Sequence, residues 1–153
     1  MKYGYHALKV LLAACLVAGV AGFTAFASPP TPVIRIVASD YAFVDVPPVV
    51  RHGLTYFSLK NAGKYRHEMS LLRLEPGISV SDAIQNEKNG GKGRGKFFKT
   101  VGLLIEPPGG STIGWLAMEL RSGETYVLIC SLRDNPDAPQ HFILGMYSAF
   151  VVR

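Results

Sequence analysis

Cysteine is scarce in this sequence: 153 residues hold two, Cys15 and Cys130. That scarcity excludes a disulfide scaffold, a multi-cysteine zinc module and an iron–sulfur cluster. Histidine is nearly as rare, with four, His6, His52, His67 and His141. These are too few for a multicopper oxidase cluster, and one thiol past residue 27 cannot build a dinuclear copper centre bridged by two thiolates. Motifs of catalysis are missing as well. His67-Glu68-Met69-Ser70-Leu71 lacks the second histidine of H-E-x-x-H, Ser111 after Gly109-Gly110 does not sit in G-x-S-x-G, and there is no G-x-x-x-x-G-K-[ST]. The sequence therefore does not read as an enzyme. It also has no internal repeat and no interior linker that marks a second domain.

What is present is apolar and rich in turns. Hydrophobic residues make up 48% and charged residues 18%, a balance that supports a packed core and excludes a disordered tail. Sixteen glycines and ten prolines favour short strands over a helical bundle. The length suits one domain. The net charge of +5 is modest.

Residues 1–27 read as an address. Lys2 and Lys9 precede an uncharged run from Val10 to Ala27, which ends in Ala25-Phe26-Ala27 before Ser28-Pro29-Pro30. A basic start, an apolar centre and an A-x-A site describe a secretory signal peptide. The run is also near the minimum length for an N-terminal membrane anchor, and Leu12-Ala13-Ala14-Cys15 matches a lipobox. Each route sends the domain at 28–153 across a membrane, to a periplasmic or extracellular place, free or tethered. Cleavage after Ala27 removes Cys15 and leaves Cys130 as a solitary thiol in an exported domain, where it has no partner for an internal disulfide.

Strand signals fill the rest. Val33 to Ala38 is β-branched. Tyr41 to Val46 is a short aromatic piece closed by Pro47-Pro48. Leu54 to Lys60 alternates, with Leu54, Tyr56 and Ser58 on one face and Thr55, Phe57 and Leu59 on the other. After a turn at Asn61-Ala62-Gly63, His67 to Leu74 puts His67, Met69 and Leu71 on one face. Ser79 to Gln85 is the one expected helix, capped by Ser79 or Ser81 with Asp82 in its first turn. Thr112 to Leu120, centred on Trp115, and Thr125 to Leu132 are expected to form a hairpin around Arg121-Ser122-Gly123-Glu124. Tyr147 to Val152 closes the chain. Seven or eight short strands and one brief helix predict an all-β, two-sheet Greek-key sandwich. Met69, Met118 and Trp115 are expected in the core, and His52 at the solvated surface.

The chemistry gathers near the end. Cys130 ends the strand Tyr126-Val127-Leu128-Ile129. His141 comes eleven positions later, after a turn-rich stretch, and Met146 five after that, behind Leu144-Gly145. His67 lies far upstream. One histidine from a distant strand, with Cys, His and Met around the loop joining the last two strands, is the ligand set of a mononuclear blue-copper site. Two imidazoles and a thiolate with a weak axial thioether suit both Cu(I) and Cu(II).

On these residues, Gly123 to Cys130 through His141 to Met146, with Asn61-Ala62-Gly63 leading to His67, the sequence resembles the cupredoxins of the plastocyanin and azurin type, from about Val33 to Arg153. The resemblance implies a cupredoxin sandwich holding one type 1 copper, with His67, Cys130 and His141 as strong ligands and Met146 as the axial one. It further implies transfer of single electrons through an exposed edge of His141, with Pro139, Phe142, Leu144 and Gly145 forming an apolar surface for a transient redox partner. The sequence departs from the family's small carriers in the ten residues between Cys130 and His141, which leave room for a more flexible or more exposed site, or for a fold that persists without a tightly held metal. Glu68, next to His67, should point to the opposite face and is not counted as a ligand. Two other readings stay open: a copper chaperone or scavenger holding Cu(I) for assembly of another enzyme, and a metal-free interaction module. Lys88 to Lys99 carries five basic residues, four glycines and no acid, and reads as a solvated connection or a docking surface for an acidic partner or an anionic membrane. Nucleic acid is not expected, and the protein is expected to be a monomer.

Overall fold

The computed structural model describes residues 31–153. The address segment at 1–27, with its lipobox cysteine, lies outside the described residues. Nine strands follow in chain order: β1 Val33–Ser39, β2 Ala42–Val44, β3 Val49–Val50, β4 Gly53–Asn61, β5 His67–Leu74, β6 Phe98–Glu106, β7 Leu116–Leu120, β8 Thr125–Ile129 and β9 Tyr147–Val152. One helix, α1 Val80–Lys88, and a short 3-10 turn at Arg94–Lys96 lie between β5 and β6. The strands form two sheets, ordered β2-β1-β4-β7 and β3-β9-β8-β5-β6. Strand β1 runs parallel to β4, and β3 parallel to β9, while the other pairs are antiparallel. The sandwich is all-β with Greek-key crossings, as the sequence predicts.

Alternation explains the layers. Along β4, Thr55, Phe57, Leu59 and Asn61 are buried, while Leu54 and Lys60 are exposed. Between the sheets, Ile36, Phe57, Leu59, Met69, Leu71, Leu120, Tyr126, Leu128 and Phe150 form the main core. Strands β5 and β8 are buried on both faces, because α1 covers the outer side of their sheet. There Leu72, Leu74, Val127, Ile129 and Phe142 pack against Ala83 and Ile84 of α1. Ser79 caps the helix, its Oγ accepting from the Asp82 N–H at 3.1 Å, and the helix runs three residues past the expected end at Gln85.

Three expectations are corrected. Strands β7 and β8 do not form a hairpin: β7 pairs with β4 in one sheet, and β8 pairs with β5 and β9 in the other. Their apolar sides, Leu116 and Leu120 on one and Tyr126 and Leu128 on the other, face each other across the core, so the link at 121–124 arches between layers. Strand β6 continues the basic stretch, whose last residues, Phe98 and Lys99, already belong to it. Its alternation is blurred by Gly102 and by exposed Leu103 and Ile105 on an edge strand. Trp115 is half exposed at 50%, with the Arg35 guanidinium 5.5 Å from its ring centre. Met69 is buried, Met118 packs at the core's margin and His52 is exposed, as expected.

Candidate metal centre

His67 opens β5, and the turn before it sets its place. Asn61, fully buried, donates from Nδ2 to the carbonyls of Tyr65 at 2.7 Å and Glu106 at 3.0 Å, and its Oδ1 accepts from the Gly63 N–H at 2.9 Å. A buried amide satisfied in this way fixes the turn. Gly63 is required by close approach. A Cβ there would lie 2.7 Å from His67 Nε2 and nearer still to Asp40 Oδ1.

Cys130 continues the inward alternation of Tyr126 and Leu128, and its Sγ accepts from the Glu68 N–H at 3.3 Å. The chain then leaves for ten residues and returns through a pinched base. The His141 N–H donates to the Leu132 carbonyl and the Phe142 N–H to the Cys130 carbonyl, both at 2.9 Å. Gln140 Nε2 donates to the Ser131 carbonyl at 3.1 Å. Inside the loop Asn135 Oδ1 accepts from the N–H groups of Asp137 and Ala138, each at 3.0 Å, an Asx turn, and the Arg133 guanidinium donates to the Ala138 carbonyl. Distance in sequence is thus not distance in space. After His141 the chain makes one tight turn, with the Met146 N–H donating to the His141 carbonyl at 3.0 Å and the Cys130 N–H to the Met146 carbonyl at 3.2 Å. Met146 is fully buried in the same core cluster as Cys130.

These elements bring His67, Cys130 and His141 together, with one donor atom from each lying within 4.8 Å of the others. The two Nδ1 atoms face each other at 3.1 Å. Cys130 Sγ is 3.3 Å from Nδ1 of His141 and 4.0 Å from Nδ1 of His67. The sulfur therefore points at both imidazoles, not into apolar packing. On their far sides, His67 Nε2 meets Asp40 Oδ1 at 3.4 Å and His141 Nε2 meets Asp134 Oδ1 at 2.8 Å. The Tyr41 hydroxyl donates to Asp134 Oδ2 at 2.5 Å. Glu68 turns away as expected, its Oε1 accepting from the Ser131 N–H at 2.9 Å and from Ser70 Oγ at 3.3 Å.

Burial pushes the Cys130 thiol up to about 11, against the opposing bond from the Glu68 N–H. Burial likewise holds the His67 imidazole below its ordinary range, with the Asp40 hydrogen bond working the other way. Asp40 is held down chiefly by the Lys64 N–H. Tyr41 rises to about 12, first because its hydroxyl is bonded to Asp134. Without metal, the thiol and the His67 ring are neutral at pH 7. Two imidazole nitrogens and a sulfur converging in a buried cluster, with a thioether one turn away in the chain, are the soft and borderline donors that fit copper.

The expected exposed edge of His141 is not found. Its exposure is 0%, because Asp134 caps Nε2 and the rings of Tyr41 and Tyr65 cover it, with centroids at 5.3 and 6.5 Å. The long loop closes the site, contrary to the expected exposure. Phe142 is buried too, while Ile143 and Leu144 stay exposed at 43% and 44%. Asp40, Tyr41 and Asp134 were not picked out from sequence. The signal available was an acid beside each break in the strand pattern, which composition alone does not separate from an ordinary turn.

Neither a protein-family model nor a curated protein matches the sequence. Solved structures do match. A dithionite-reduced auracyanin from Roseiflexus castenholzii aligns over 82% of this chain and 99% of its own, at 15% identity and TM-score 0.51. Auracyanin B aligns over 83% and 92%, at 16% identity and TM-score 0.51. Auracyanin A from Chloroflexus aurantiacus, described as a blue copper protein, aligns over 80% and 99%, at 16% identity and TM-score 0.46. At such identities the likeness is one of fold. The auracyanins are cupredoxins, and the two-sheet Greek-key sandwich of this chain is a cupredoxin fold.

Proposed function

We propose that the domain holds one copper ion through His67 Nδ1, Cys130 Sγ and His141 Nδ1, with Met146 as a weak fourth donor, and carries single electrons between redox partners. The observation that carries this reading is the convergence of three fully buried donors within 4.8 Å. Copper supplies one-electron exchange between Cu(I) and Cu(II) when bound. The chain's part is to hold the donors in place through both states. His67 is fixed by the Asn61 turn, Cys130 by β8, and His141 and Met146 by the pinched loop. Apolar packing on the inner side and the Tyr41 and Tyr65 rings above His141 keep water from the donors.

Burial also favours a carrier over a chaperone or scavenger. Handing on an ion requires ligands that a second protein can reach, whereas an electron crosses a covering layer of aromatic rings. Exposed Ile143 and Leu144, two and three positions after buried His141, offer an apolar surface for a small, transient contact with a redox protein. The basic stretch is the weaker docking surface. Lys88 lies over the Tyr147 ring, Arg94 pairs with Glu87 and covers Phe98, and Lys99 pairs with Glu75. We also propose that residues 1–27 export the domain. No helix among the described residues is long and apolar enough to cross a membrane.

Adding Cu(II) to metal-free protein tests the site. The expected product shows intense visible absorption from thiolate-to-copper charge transfer, and Cys130→Ser abolishes the colour. A colourless wild-type product contradicts the proposal.

A further inference from the structure

We propose that Asp40, Tyr41 and Asp134 are positioning residues that lock both imidazoles in the Nε2–H tautomer and so aim both Nδ1 atoms inward. The inference deepens the copper reading and rests on it for the role of the inward nitrogens. A neutral imidazole has one donor and one acceptor nitrogen, and the bond made by one decides what the other offers. Here each Nε2 faces a carboxylate oxygen, at 3.4 Å for His67 and 2.8 Å for His141. An ionised carboxylate only accepts, so the hydrogen-bond network assigns the ring proton to Nε2 in both residues. Both Nδ1 atoms are left with lone pairs, and they face each other at 3.1 Å. Two lone pairs at that distance repel unless a proton or a cation lies between them. The outer bonds therefore hold an arrangement that only a central cation, or the thiol proton, relieves.

One turn governs both rings. Asp40 and Tyr41 are adjacent between β1 and β2. The first reaches His67, and the second donates to Asp134 at 2.5 Å, which in turn holds His141. Tyr41 has φ of +64°, in the left-handed region that side chains avoid. Its neighbours hold it there, since its ring also stacks on Tyr65 at 6.2 Å and meets His141 edge-on at 5.3 Å. Asp134 comes from the ten-residue loop, so the loop that lengthens the path between Cys130 and His141 also delivers the group that orients His141. Outer partners of this kind are worth about 10- to 100-fold in metal affinity.

The test uses ring-nitrogen NMR on the metal-free, 15N-labelled protein and chelator competition on the copper-loaded protein. Wild type is expected to show His67 and His141 as Nε2–H tautomers. Asp134→Ala should give His141 a mixture of tautomers and hold copper about 10- to 100-fold more weakly against a Cu(I) chelator. Asp134→Asn keeps an acceptor oxygen and should retain the wild-type tautomer, while Tyr41→Phe should loosen His141 less than Asp134→Ala does. Asp137→Ala, exposed on the same loop, should change neither readout. A wild-type His141 protonated at Nδ1, or an Asp134→Ala protein with unchanged tautomer and unchanged copper affinity, overturns the proposal. Wild-type protein with both Nε2–H rings that takes up no copper supports the positioning and overturns the copper reading instead.

Discussion

At Gly63 one methyl group is decisive. The missing Cβ lets Asp40 and His67 meet beneath the turn, where a methyl would stand 2.7 Å from Nε2. Gly63→Ala should therefore keep the sandwich, seen as an unchanged far-ultraviolet spectrum, and weaken copper binding by about 10- to 100-fold in chelator competition. His67 also sets a pH limit for the metal-free protein. Burial lowers its folded pKa below the ordinary 6.5, so between the folded value and 6.5 the unfolded chain binds a proton that the folded chain does not. Stability from this residue is complete above about pH 6.5 and is lost as the pH falls through the folded value. The urea midpoint of metal-free protein should drop between pH 7.5 and pH 5, and the drop should shrink in His67→Gln. Cys130 adds a pH dependence of the same sign to metal uptake. Its thiol, pushed up to about 11, must lose a proton to bind, so copper affinity rises with pH through the neutral range.

Elements decide how far such residues can be brought together. The β4–β5 turn depends on Asn61, whose amide serves the carbonyls of Tyr65 and Glu106. Asn61→Ala leaves both without that partner, and at about 1–3 kcal/mol for a buried group left unsatisfied the metal-free protein should unfold at clearly lower urea. An unchanged midpoint contradicts this account of the turn. Strand β4 was legible from sequence through its alternation, which puts Phe57 and Leu59 on the buried face, and β5 through the turn that precedes it and the period-two set His67, Met69 and Leu71. The sequence put Cys130 at the end of an apolar strand, and the register of Tyr126, Leu128 and Cys130 in β8 turns its thiol inward. Strand β6 was hidden by Gly102 and by apolar residues on its exposed side, and the arch between β7 and β8 looked like a hairpin because a four-residue turn serves either connection. Chain order suggested His67, Cys130, His141 and Met146, since His, Cys and Met are rare enough here to stand out. The roles of Asp40, Tyr41 and Asp134 depend on which loop end folds against which. No local pattern encodes that.

Across the whole molecule, the two sheets make a frame with packing on both sides of β5 and β8, the two strands that border His67 and Cys130. A frame with its donors already gathered needs little rearrangement on binding. Copper should then act as a ligand of the folded state alone, stabilising it with the logarithm of its excess over the dissociation constant, by about 4 kcal/mol at a thousandfold excess, and raising the melting temperature accordingly. Cys130→Ser should lose most of that increment, as read by calorimetry with and without metal. The most direct test of the central claim is the metal content of the protein isolated from the cells that make it. One copper per chain, with the intense visible absorption of a copper–thiolate bond, is the predicted result. Protein isolated with zinc, or with no metal and unable to take up copper, contradicts it.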